Sequence, residues 1–154
     1  MEISNEYNSD GKLVRHSELN NEEESNEINK FYYDEKQNLI REEQYYGDEL
    51  FERTHHTYNK ESQKIKTVKE DDDGNIVEED IFELNSNGKV ITHEHISMGE
   101  PEWKLELKYN DDGIVSSETH TNFLEETIEK TTHELNSDNR RVLTEVTDEN
   151  HILI

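Results

Sequence analysis

The 154-residue chain has no cysteine, which excludes disulfides, thiolate metal sites and thiol chemistry. It has one proline and no alanine. No apolar run approaches the ~18 residues that a membrane-spanning helix needs. Positive charge is scarce: 16 Lys and Arg stand against 39 Asp and Glu, for a net charge of −23. That sign argues against direct binding to nucleic acid or to an anionic membrane. Apolar residues make up only 29% of the chain, and Leu, Ile, Val and Phe together sit just above the ~20% below which high charge predicts disorder. A fold built from this composition must use its apolar side chains sparingly or leave a sheet surface polar. At this length one domain, residues 1–154, is the default reading. Met1 runs straight into Glu2, Asn5 and Glu6. With no basic or apolar leader there, the reading is cytoplasmic, and a mature secreted chain is the alternative.

What is present is a repeat. Tyr or Leu followed by Asn or Asp, then a turn, then an apolar residue recurs six times. The copies begin at Tyr7-Asn8, Tyr33-Asp34, Tyr58-Asn59, Leu84-Asn85, Tyr109-Asn110 and Leu135-Asn136. The spacing alternates between 26 and 25 residues along the whole chain, which marks a repeat architecture. A second turn signal falls about midway through most copies: Tyr46-Gly47-Asp48-Glu49, Asp71-Asp72-Asp73-Gly74-Asn75 and Met98-Gly99-Glu100-Pro101. Polar stretches around Asn20-Asn21-Glu22, Asn122 and Asp148-Glu149-Asn150 take that place in the other three. Asn, Asp and Gly supply the positive φ that tight hairpins require.

Period-2 alternation fills the intervals, most clearly at Trp103, Leu105, Leu107 and Tyr109 with Lys104, Glu106 and Lys108 between them. Such alternation puts one set of side chains on one face of a strand. Residues 122–132 are the best helical competitor, through Phe123, Leu124 and Ile128, but the repeat places a turn and a strand there. The expected fold is therefore all-β: an antiparallel meander of six hairpin repeats, about eleven or twelve strands, in one open or curled sheet. The apolar tail His151-Ile152-Leu153-Ile154 is a candidate seal for one edge.

The element at Tyr7 to Leu13, and at Leu84 to Val90 with Leu for Tyr, resembles the YD or RHS repeat, in which Tyr-Asp and two variable residues precede Gly, a basic residue and an apolar one. Gly11, Gly88 and Gly113 keep the turn glycine, and the period is several residues longer than the usual one. Large RHS proteins wind such repeats into a shell around a toxin, for which six copies are too few. The chain also resembles, more loosely, MORN-2-type repeats, some of which act as antitoxins. Both resemblances imply bacterial toxin and immunity systems.

Candidate chemistry is sparse. His93 and His95, at i and i+2, have a spacing that can chelate a metal, with His120 or His56 as further ligands. Polar strand positions explain these histidines more simply. Asp71-Asp72-Asp73-Gly74-Asn75 is similar to the start of a calcium loop, but Gly74 is fourth rather than sixth. A hairpin turn accounts for it, and for Asp111-Asp112-Gly113 likewise. No phosphate loop, nucleophile elbow or His-Glu-x-x-His occurs. The expectation is a non-enzyme without metal or other cofactor.

Tyr7, Tyr33, Tyr58 and Tyr109 are expected to form a cross-strand column that holds the sheet. Tyr32, Tyr45, Tyr46 and Phe51 fit that column less well and are candidates for a contact surface, with Phe123 and Leu124. A charge of −23 suits steering of a basic partner. The acidic runs Glu22-Glu23-Glu24, Glu70-Asp71-Asp72-Asp73, Glu78-Glu79-Asp80 and Glu125-Glu126, with Tyr45 and Tyr46, are the candidate contacts. The leading expectation is an acidic, immunity- or antitoxin-like protein that neutralises a basic protein. One alternative is an anti-defence mimic of DNA that blocks a nucleic-acid-binding enzyme. Another is a repeat module that binds glycan or peptide through its aromatics. An edge-to-edge homodimer is compatible with each.

Overall fold

The computed structural model describes residues 1–20, 25–136 and 140–149. Glu22, Glu23, Glu24 and the apolar tail from His151 lie outside the described residues. The described residues contain no helix; residues 122–132 form a turn and a strand. Twelve strands run in chain order: β1 Glu2–Tyr7, β2 Leu13–Asn20, β3 Ser25–Tyr33, β4 Leu39–Tyr46, β5 Glu49–Tyr58, β6 Lys64–Asp71, β7 Ile76–Leu84, β8 Val90–Ser97, β9 Glu100–Tyr109, β10 Val115–Asn122, β11 Thr127–Leu135 and β12 Arg141–Glu149. Their spatial order is also β1 to β12, an open antiparallel meander of six hairpins. Contacts divide the chain into two compact units, Met1–Glu79 and Asp80–Ile154. β12 runs through Asp148 and Glu149, which pair with Glu129 and Ile128, and Asn150, the last residue of the polar stretch read there, lies outside the described residues.

The repeat's Asn or Asp acts as a cap. In the first copy the Asn8 amide donates to the Lys12 carbonyl at 2.9 Å and the Gly11 amide to the Asn8 carbonyl at 3.0 Å. The Asn8 side-chain oxygen then accepts the amides of Asp10 and Lys12 at 3.0 and 2.9 Å. Asp34, Asn59 and Asn85 repeat both side-chain bonds. An Asx oxygen satisfies loop amides that a strand ladder would otherwise leave open. The fourth turn residue sits in the left-handed region: Gly11 at φ 76°, and Gln37 and Ser62 at 65° and 62° in the copies that lack glycine. The midway turns vary: Asp71 to Asn75 forms a capped turn of the same kind, with Gly74 at φ 84°, whereas the tip at Met98 is tighter. Met98 and Gly99 both have positive φ, the type I′ pattern of a two-residue hairpin.

In three copies the tyrosine of the Tyr-Asn/Asp pair is a latch to the preceding repeat. Tyr33 donates its hydroxyl to the Leu13 carbonyl at 2.9 Å, Tyr58 to the Leu39 carbonyl at 2.9 Å, and Tyr109 to the Val90 carbonyl at 2.7 Å. Each acceptor is the first strand residue after the previous copy's capped turn. Burial and nearby Glu42 hold the Tyr33 hydroxyl above its ordinary pKa. Burial, Asp34 and Glu42 do the same for Tyr58.

Among the described residues no second layer covers these strands. Among the described residues the only buried apolar side chain is Ile28, and none is fully buried. Cohesion is lateral, through ladder bonds, latches and cross-strand pairs. Removing a latch should therefore be felt, and adding one should help. Tyr58→Phe is expected to lower the urea midpoint, a loss of about 0.5–1.5 kcal/mol. Leu135→Tyr, which offers a hydroxyl to the Val115 carbonyl at the equivalent place, is expected to raise it. Equal midpoints for both variants and the parent chain would show that the latch contributes nothing.

Candidate functional site

Strand alternation and register sort the charges by face within each unit. In the first unit, one face carries His16 and His56 with Glu18, Glu27, Glu42 and Glu52. The other carries Arg15, Lys30, Arg41, Arg53 and Lys66. On the second face the bases are spent on neighbouring acids: Arg15 meets Glu6 at 2.8 Å, Arg53 meets Glu70 at 3.3 Å and Lys66 meets Glu79 at 2.6 Å.

The centre of that face is Glu43, whose side chain is 7% exposed. Tyr32 and Tyr45 each donate a hydroxyl to its Oε2 at 2.8 Å, and Arg53 Nε donates to Oε1 at 3.2 Å. Arg41 Nε lies 3.3 Å from Oε1 without a hydrogen-bonding angle, so that contact is an ion pair only. The Arg41 guanidinium covers the Tyr32 ring at 3.9 Å, and the Lys30 ammonium covers Tyr45 at 4.0 Å. Burial pushes the Glu43 carboxyl up, but the bonds from Tyr45, Tyr32 and Arg53 and the charge of Arg41 outweigh it and hold the pKa low. With three hydrogen bonds and a further cation held on the carboxylate, this cluster is a structural keystone rather than a reactive centre.

In the second unit the histidine face holds a ring stack. His93 stacks on Phe82 at 4.2 Å and meets Trp103 edge-on at 4.6 Å, and His95 stacks on Trp103 at 5.4 Å. His93 Nε2 and His95 Nδ1 both reach the same Asp80 oxygen, at 2.8 and 3.2 Å. His120 lies beside Trp103, while His56 bonds Glu42 and Thr67 in the first unit. His133 is buried, with Nδ1 at 3.1 Å from Thr144 and Nε2 at 3.4 Å from Glu118. Among the described residues no three potential ligands converge on a point.

The hairpin tips are unlike at the two sheet edges. At one edge of the first unit the capped turns are bonded to each other. Gln37 donates to Asp10 at 3.1 Å, Lys36 to the Lys60 carbonyl at 2.9 Å, and Asn38 to Ser62 at 3.3 Å. A recess of about 550 Å³ lies here between Asp34, Lys36, His56 and Tyr58, but its polar walls are the caps and latch already in use. At the opposite edge stand the tips Gly47-Asp48 and Asp72 to Asn75, which contain no Lys or Arg. Tyr46 and Phe51 project there, 49% and 51% exposed, in edge contact at 5.1 Å. Ile76 is 50% exposed. A shallow recess of about 300 Å³ opens between Phe51, Glu52, Lys69, Asp71, Asp72 and Val77. The corresponding tips of the second unit also combine apolar and acidic residues: exposed Met98 precedes Glu100, and exposed Leu124 precedes Glu125 and Glu126.

The sequence-derived contacts therefore separate. Tyr46, Asp72, Asp73, Glu78, Glu125 and Glu126 are exposed at or beside free tips. Tyr45 is half-buried on Glu43, as is Tyr32; Glu70 bonds Arg53, Glu79 pairs with Lys66 and Asp80 serves two histidines. Asp71 caps its own turn through Asn75, whose side-chain and backbone bonds lower its pKa. Phe51 owes its exposure to the register shift between Gln44 and Tyr45, which leaves it without an opposite residue. Glu43 was missed by sequence reading; the signal was Tyr32, Arg41, Tyr45 and Arg53 falling on one strand face. Compared with known proteins, the chain matches no family model and no curated protein.

Glu43→Gln removes the charge that Tyr32, Tyr45, Arg41 and Arg53 surround and is expected to destabilise the fold by about 1–3 kcal/mol at neutral pH. Because the folded-state pKa lies below the unfolded one, the carboxylate's contribution is present above the ordinary carboxylate range. It is lost as pH falls through the folded value. Denaturant titrations of parent and variant should converge at acid pH; a gap that stays constant would show that Glu43 acts through shape alone.

Proposed function

We infer that the chain is a non-enzymatic binding protein that neutralises a basic protein, in the manner of an immunity protein or antitoxin. The observation that carries this reading is the free edge of the first unit. There Asp48, Glu49, Asp72 and Asp73 are exposed, no base sits in either tip, and Tyr46, Phe51 and Ile76 are presented among them. Elsewhere in that unit Lys and Arg are largely consumed by neighbouring carboxylates or capped turns. The uncompensated negative charge thus falls where the fold's own bonding does not need it. Exposed aromatics ringed by acids suit a cationic surface: long-range attraction sets the encounter, and apolar contact slows release. The resemblance to YD and MORN-2-type repeats favours the same class of role. Residence in the cytoplasm fits this proposal; the described residues include no helix long and apolar enough to cross a membrane.

The test starts from capture of a partner from host extract, followed by reconstitution with the purified protein. One basic protein is expected to bind stoichiometrically, with affinity falling steeply between about 0.05 and 0.5 M salt. Asp72→Asn with Asp73→Asn should slow association, whereas Tyr46→Ala with Phe51→Ala should speed dissociation. Growth arrest caused by the partner should be relieved on co-expression. Salt-independent binding, or turnover of a small substrate, would overturn the reading.

A further inference from the structure

We propose that the chain associates head to tail with a second copy of itself, β12 of one molecule pairing with β1 of the next as a continuation of the repeat. This proposal is independent of the reading above. The repeat supplies the template. In three places the strand before a capped turn pairs with the strand after the previous one, and its terminal tyrosine latches onto that strand's first carbonyl: Tyr33 on Leu13, Tyr58 on Leu39, and Tyr109 on Val90. β1 is a strand of the first kind and β12 of the second, and they are the two outer strands of the sheet.

Both halves of the latch are open on these strands. Tyr7 is 61% exposed, and among the described residues its hydroxyl has no partner. Arg141 occupies the position of Leu13, Leu39 and Val90, five residues beyond the capping Asn136, and no described tyrosine reaches its carbonyl.

Register follows from the same template. The interior pairs Arg15↔Lys30, Arg41↔His55 and Thr92↔Glu106 are equivalent across repeats, and all three place Leu143 of one copy opposite Ser4 of the next. Thr144 then faces Ile3 and Val146 faces Met1. Ile3, Met1, Leu143 and Val146 are 59%, 76%, 43% and 57% exposed, so pairing covers apolar surface that the isolated sheet leaves wet. Glu145 faces Glu2, a like-charge cost that β2 and β3 already bear at Glu18↔Glu27. The contact is heterologous, so it adds copies without closing. The net charge of −23 on each copy opposes it, so screening by salt favours it, the reverse of binding to a basic partner.

The absence of cysteine gives a clean test. One preparation carries Ser4→Cys and another Leu143→Cys. Facing residues in an antiparallel pair lie about 4.5–5.5 Å apart at Cα, within the range of a disulfide. Mixed under mild oxidation at about 0.5 M salt, the two should form a mixed dimer in preference to either homodimer. Ser4→Cys mixed with Thr147→Cys, four residues out of register, should not. Sedimentation of the unmodified chain should show mass rising with concentration and with salt, and Tyr7→Phe should weaken that rise without changing the circular dichroism spectrum. A monomer at every concentration and salt, or cross-linking equal in and out of register, would overturn the proposal.

Discussion

Everything in this structure depends on cohesion within a single sheet. A layered β-protein hides one face of each sheet and draws most of its stability from that burial. Here neither face has a covering layer among the described residues, and one apolar side chain, Ile28, is buried. Free energy must come from neighbours along the sheet: ladder bonds, side-chain pairs across strands and turns that leave no amide open. The Asx cap and the tyrosine latch answer that requirement directly. The cap fixes the loop that sets hairpin register, and in three copies the latch ties a hairpin to the one before it. Both are polar contacts at a sheet edge, which explains how a chain with 29% apolar residues holds an ordered fold.

The same constraint governs charge. Side chains on a single sheet have lateral partners only, so each carboxylate meets a cation, a hydroxyl, an imidazole or water. Arg and Lys on one face of the first unit meet Glu6, Glu43, Glu70 and Glu79. On the histidine faces imidazoles take that place, at Glu18, Glu42, Asp80 and Glu118. Acids at the free tips have no such neighbours. A charge of −23 is therefore unevenly spread: much of the strand charge is locally answered, and the excess collects where turns face solvent. Such an arrangement limits self-repulsion within the sheet while keeping a strong field at its rim.

The fold was legible because its determinants are local and periodic. Tyr-Asn at 7, Tyr-Asp at 33 and Tyr-Asn at 58 mark a turn whose hydrogen bonds involve only five consecutive residues, so spacing alone placed the hairpins. Alternation also assigned faces correctly around Trp103, Leu105 and Leu107. What sequence did not reveal depends on register between strands. Tyr45 and Tyr46 are adjacent and chemically alike, yet one is tied to buried Glu43 and the other projects into solvent beside Phe51, because strand alternation separates them and a bulge follows. The acidic runs read as uniform in sequence. Pairing splits Glu70 from Asp72, and Asp80 from Glu78, by what stands opposite each.

Two consequences of repetition meet at the outer strands. Where the repeat keeps its tyrosine, at 33, 58 and 109, the hydroxyl is answered by a carbonyl of the repeat before it. The outer strands carry half of each contact: a donor at Tyr7 and an acceptor at Arg141, with exposed Ile3 and Val146 beside them. Natural sheets usually blunt such edges with charge, proline or a bulge. Proline is absent from β1 and β12, and although a third of their residues are acidic, β7 is denser still, with four acids in nine residues, and lies paired inside the sheet. Global charge therefore falls to the role that edge residues fill elsewhere. At low ionic strength repulsion between copies opposes pairing, and at higher ionic strength local complementarity, the Tyr7 hydroxyl toward the Arg141 carbonyl, decides. Since the tip acids that suit a cationic partner add to the same repulsion, engaging such a partner would also lower the barrier to adding another copy.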